Sequence, residues 1–101
     1  LGTAGGASCA PAVEAAAAGI LAAAAGFTHV VNGRFKGGWT TRHYGRPQVG
    51  VHAIQMELAQ ITHLATEAPP FAYDAQKAET LRRHLKDILT SIEAIALDLK
   101  R

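Results

Sequence analysis

This sequence has few of the features that would mark an exported, membrane-bound or nucleic-acid-binding chain. It holds one cysteine, Cys9, so no disulfide can form within the chain, which fits a reducing compartment. Charged residues make up 18% and the formal net charge is +2, too small a bias to argue a nucleic-acid partner from composition. No apolar run is long enough to cross a bilayer: the stretch from Pro11 to Gly26 is mostly alanine and is interrupted by Glu14. No basic residue precedes Arg34, so the charged start of a signal peptide is missing too. The expected location is therefore cytoplasmic, with no membrane partner. There is no internal repeat, no Walker loop, no Gly-x-Gly-x-x-Gly, and no Cys-x-x-Cys or His-x-x-x-His spacing. Neither a nucleotide site nor a zinc site built wholly from these residues is expected.

What is present is a hydrophobic content of 49% in 101 residues, enough for part or all of one folded domain and too much for a disordered chain. The opening "LGTAGGASCAP" is loop-like and has no starting methionine, which reads as the interior of a longer protein. The run "PAVEAAAAGILAAAA" predicts a helix from about Pro11 to Ala25, with proline in its first turn, Glu14 near its positive end and Gly26 as its stop. "FTHVVN" predicts a strand over 27–31, and the partly alternating "VHAIQMELA" a second, largely buried one over 51–59. Residues 32–50 show neither period and read as a long loop, a kind of segment that often carries function. "QITHLAT" reads as a helical turn and "EAPPFAY" as a connector. After Asp74, a good N-cap, apolar residues recur from Ala78 to Leu99 at spacings of three and four, predicting an amphipathic helix of about 25 residues. Its polar side, with Lys77, Arg82, Arg83, Lys86 and Glu93, reads as a solvated face. Two strands with two to three helices leave unpaired edges, so the expected class is α/β, with this chain as one end of a larger sheet domain.

The charge map singles out one region. Between Ala15 and Thr66 a lone acid, Glu57, stands against Arg34, Lys36, Arg42 and Arg46. An acid flanked by Met56 and Leu58 is costly unless paired or exposed. It reads either as a structural ion pair to Arg34 or Arg42, or as a general base at the end of a strand. The basic residues suit one or two carboxylates, which a guanidinium matches with two parallel bonds. A noncatalytic module, binding an anion or nucleic acid through loop 32–50 with Trp39 and Tyr44 stacking on bases, is the alternative; nucleic acid is the weaker expectation. Cys9 lacks a nucleophile-elbow context and reads as a packed cysteine.

These residues resemble a known family. The run "NGRFKGGWTTRHYGRPQVGVHAIQMELAQ" (32–60) closely resembles the C-terminal part of the N-formylglutamate amidohydrolases. The Gly-Thr-x-x-Gly-x-Ser-Cys pattern at residues 2–9 and the "PPFAYD" connector before a terminal helix fit as well. The resemblance implies hydrolysis of N-formyl-L-glutamate to formate and L-glutamate in histidine degradation. It also implies a three-layer αβα sandwich around a mixed sheet, similar to the zinc carboxypeptidases, of which this chain supplies about two strands and two to three helices. Residues 1–101 would be the C-terminal portion of a single hydrolase domain, with the remainder of that domain as partner. Glu57 matches the glutamate that serves as general base in that wider group. Arg34 and Arg42 match cationic positions for the substrate's carboxylates, with Asn32, Lys36, His43 and Gln55 as further substrate-binding candidates. A divalent metal, expected to be zinc, would have its ligands upstream of this chain, which alone is expected to be inactive.

Overall fold

The computed structural model describes residues 1–100; residue 101, which the single-domain reading includes, lies outside them. Among the described residues three α-helices form: α1 (Pro11–Ala23), α2 (Trp39–Tyr44) and α3 (Ala75–Leu99). α1 begins as its sequence requires, with Pro11 in the first turn where a missing N–H costs nothing. It ends at Ala23, two residues early, because Ala24 turns extended before Gly26 takes its left-handed φ of 84°. α3 starts where Asp74 accepts the Lys77 N–H on its side-chain oxygen at 3.0 Å. Its apolar stripe packs on α1, burying Ala78, Leu81 and Ile88. On the expected solvated face, Arg82, Arg83, Lys86 and Glu93 are exposed. Lys77 instead reaches back, donating to the carbonyls of Ile61 and Leu64 at 3.1 and 2.9 Å.

The expected mixed-sheet sandwich is not what forms. Among the described residues there is no sheet, and neither 27–31 nor 51–59 is a strand. Both segments do approach Leu1–Thr3, which runs between them. The Leu1 ammonium donates to the Val30 carbonyl at 3.1 Å, and the Asn32 N–H to the Leu1 carbonyl at 2.8 Å. On the other side Gly2 and Gln55 exchange both backbone bonds at 2.8 Å. Pairing stops there because the neighbours bend: Ala4 and Asn32 take φ of 52° and 51°, outside the extended region. A ladder needs several successive extended pairs, so only isolated bridges remain, at Gly2–Gln55, Arg46–Val51 and Leu64–Tyr73.

The loop reading of 32–50 is also amended, since it contains α2 and a 3₁₀ turn over Pro47–Val49. α2 is short and rich in β-branched threonine, so its own propensity is low. It is held by burial of Thr41 and by Gly45, whose absent Cβ would lie 2.5 Å from the Ser8 carbonyl oxygen. The expected helical turn appears as a 3₁₀ turn at Gln60–Thr62. The Glu67–Tyr73 connector is closed by the Leu64–Tyr73 bridge and contains a cis Pro69–Pro70 bond. Leu1, Ala17 and Ile88 form the buried centre, with Leu21, Val31, Ile54, Met56 and Ile92 packed around it. The core built by α1 and α3 thus takes Val31, Ile54 and Met56 of the extended segments.

Candidate functional site

The extended segment 53–57 is fixed at Ala53, whose N–H donates to the Ser8 carbonyl at 2.9 Å, and again at Gln55. Beyond Met56, half-buried against the core, the chain leaves the packed layer and Glu57 is exposed. Exposure spares its carboxylate the cost that the sequence position suggested. Its Oε2 accepts a hydrogen bond from Gln55 Nε2 at 3.0 Å. Among the described residues no ion pair joins it to Arg34 or Arg42; Arg82 instead pairs with Glu79, exposed on α3 at 3.6 Å.

A groove of about 510 Å³ runs between the end of α1, residues 26–30, residues 56–62 and the α3 face around Leu81, His84 and Leu85. Glu57 and Arg34 both line it, beside an apolar wall that includes Phe27, Met56 and Ile61. Arg34 is exposed, its guanidinium carbon 5.8 Å from the centre of the Phe35 ring. The groove therefore presents one carboxylate and one guanidinium to a small polar molecule, with carbon surface for the rest of it.

The remaining basic residues lie along the segment that leads to α2. Arg42 is exposed and its Nη1 donates to the Gly37 carbonyl at 3.5 Å. Gly38, next in the chain, donates its N–H to Gln55 Oε1 at 2.8 Å, which ties the start of α2 to the Glu57 segment. His43 stacks on Trp39 one helical turn away, with ring centres 4.2 Å apart, and meets Tyr44 edge-on at 4.8 Å. Lys36 is exposed, and its carbonyl accepts the Ala4 N–H at 2.7 Å. The structure brings Arg34 and Glu57 to one groove and links Gln55 to Glu57, while Lys36, Arg42 and His43 do not line that groove.

Asn32 does different work from a free binding group. Its Oδ1 accepts the N–H of Thr3 and Gly5 at 2.9 and 3.3 Å. Its Nδ2 donates to Thr3 Oγ1 at 2.8 Å and Glu14 Oε1 at 3.2 Å. All four bonds an amide can make are taken inside the chain. Thr3, fully buried, completes the cluster by donating to Glu14 Oε1 at 3.1 Å. Residue types alone did not reveal this cluster, because its members are up to 29 positions apart. Two further contacts share that reason: Ser8 Oγ donates to the Ala53 carbonyl at 2.6 Å, and the Ala10 N–H donates to His52 Nδ1 at 3.0 Å. Cys9 is buried, as expected of a packed cysteine. Burial, and secondarily the nearby Glu14 carboxylate, push its thiol above the ordinary value, which keeps it a poor nucleophile.

Among the described residues no three His, Cys, Asp or Glu side chains are grouped to hold a metal ion. Nor is any described helix long and apolar enough to cross a membrane.

No solved structure matches this chain. It is 53% identical over 94 residues to an N-formylglutamate deformylase of Pseudomonas aeruginosa and 47% identical over 94 residues to one of Pseudomonas putida. Each match covers 93% of this chain and 35% of the relative, so the chain spans about a third of their length. Residues 1–64, which include the Thr3–Glu14–Asn32 cluster, the basic segment and Glu57, match the sequence profile of the family described as N-formylglutamate amidohydrolase. The chain belongs to the N-formylglutamate amidohydrolase family.

Proposed function

We propose that this chain is part of a deformylase that hydrolyses N-formyl-L-glutamate to formate and L-glutamate, as the names of its relatives suggest. The observation that carries the chemical part is the placement of Glu57 and Arg34 on one groove. Glu57 takes the proton from the water that attacks the formyl carbon. It then passes that proton to the amine nitrogen as the C–N bond breaks. Arg34 and Arg42 hold the two carboxylates of the glutamyl part, each offering a planar pair of N–H donors. Lys36 and His43, both exposed, stand at the rim of the same basic segment, and Asn32 serves by holding the turn that leads into it.

A divalent metal, zinc by the resemblance, goes with this reading, its ligands expected upstream of this chain. The rest of the parent domain is then the partner, and the chain alone releases no formate. The place in histidine degradation and in the cytoplasm goes with the same reading. In the enzyme that carries this chain, Glu57→Gln should lower turnover of the order of 100-fold or more with little change in substrate affinity. Near-normal formate release, followed by a coupled assay, would remove Glu57 from the base role.

A second reading draws on Trp39 and Tyr44, 62% and 56% exposed beside Arg42 and Arg46. Such a surface could stack bases of a single strand or bind another anion without catalysis. One face of Trp39 is already covered by His43, which favours the first reading.

A further inference from the structure

Gln55 commits both ends of its side-chain amide inside the chain. Oε1 accepts the Gly38 N–H at 2.8 Å and Nε2 donates to Glu57 Oε2 at 3.0 Å. Its backbone is held as well, by the two 2.8 Å bonds exchanged with Gly2. Residues two apart in an extended segment emerge on the same side, so the Gln55 amide can reach the Glu57 carboxylate. The orientation of the amide follows from its partners. A backbone N–H on one side calls for the oxygen and a carboxylate on the other calls for the NH₂; the reversed amide would lose both bonds.

We propose that Gln55 is a positioning residue for Glu57: it holds Oε2 in place and leaves Oε1 free to take the proton. The inference rests on the general-base reading of Glu57 given above. It differs from a substrate-binding role for Gln55, because the amide oxygen already serves Gly38 and the amide nitrogen already serves Glu57. Gly38 caps the start of α2, so the same amide also couples the basic helix to the carboxylate. An exposed glutamate without this bond samples several rotamers, and only some present an oxygen to the attacking water.

The test uses the enzyme that carries this chain, with Gln55→Met, Gln55→Glu and Glu57→Gln measured by steady-state kinetics. Gln55→Met removes both bonds, whereas Gln55→Glu keeps an oxygen for the Gly38 N–H and loses the donor to Glu57. Both Gln55 variants should lower kcat roughly 10- to 100-fold with KM within about twofold of the parent. A raised KM with kcat retained would mean that Gln55 touches substrate. Full recovery of kcat in Gln55→Glu but not Gln55→Met would mean that only the Gly38 end matters. Either result overturns the proposal, as does parent-like kcat in both variants.

Glu57→Gln separates this failure from that of the general-base reading. If Glu57→Gln keeps its turnover, the base assignment falls and the positioning role falls with it. If Glu57→Gln loses turnover while both Gln55 variants keep theirs, the positioning role alone falls. Should the Gln55 variants not fold, NMR of the 101-residue chain decides. Glu57→Gln should displace the side-chain NH₂ signals of Gln55, and signals that stay in place would show that the bond does not exist.

Discussion

Arg42 carries the sharpest single-residue prediction outside the Glu57 pair. Its guanidinium is exposed and held only by a 3.5 Å bond to the Gly37 carbonyl, so it is free to meet a ligand carboxylate. In the enzyme that carries this chain, Arg42→Ala should raise KM about 10- to 100-fold and leave kcat within a few-fold, because a charge-assisted pair to the substrate is lost without touching the base. An unchanged KM, together with salt-dependent binding of single-stranded DNA by the chain, would transfer the basic segment to the second reading. At this scale the sequence showed Glu57 standing alone among cations, and the structure puts Arg34 on its groove. It could not show that the Asn32 amide is fully occupied and that the Gln55 amide is engaged at both ends. Their partners, Thr3, Gly5 and Glu14 for Asn32 and Gly38 for Gln55, lie 17 to 29 positions away, and only folding brings them near.

The helices divide by the source of their stability. α3 was legible down to its first residue, because a cap and a 25-residue apolar stripe are local patterns. Its cap and its buried stripe should therefore fail separately and by different amounts. Asp74→Ala loses the bond to the Lys77 N–H and should cost about 1 kcal/mol, whereas Ile88→Ala, truncating a side chain that is 2% exposed, should cost about 2–5 kcal/mol. Urea unfolding followed by circular dichroism checks both, and equal losses would mean that α3 is not docked through Ile88. α2 was not legible. Its threonines and glycines argue for a loop, and the helix exists because Thr41 is buried and the chain around Gly45 closes on Ser8. The segments 27–31 and 51–59 have strand composition yet form no strand. Composition reports the preference of each residue, whereas a ladder depends on what its neighbours do, and Ala4 and Asn32 bend away.

The whole molecule is long and thin, 45 × 24 × 17 Å, with a radius of gyration of 14.5 Å. A compact domain of this length would have about 13 Å. α3 alone spans about 37 Å at its usual rise, so it sets the long axis. A body only 17 Å thick has little interior, and large apolar side chains such as Phe35, Trp39, Val49 and Leu89 stay more than half exposed. The chain by itself should therefore associate reversibly as its concentration rises. Sedimentation velocity should show the average coefficient rising across the micromolar range, and a single monomer boundary throughout would show that these side chains are closed over in solution.

By itself the sequence determined the two longer helices and the family, and it set a lone acid, Glu57, among four basic residues. Each of these is written in residues close together or in a motif that survives any rearrangement of the rest. Tertiary structure decided that the extended segments stop short of a sheet, that residues 39–44 coil, and that Arg34 rather than Arg42 shares a groove with Glu57. Those outcomes depend on which backbone groups meet across long separations and where the chain bends, and neither is encoded in any one segment.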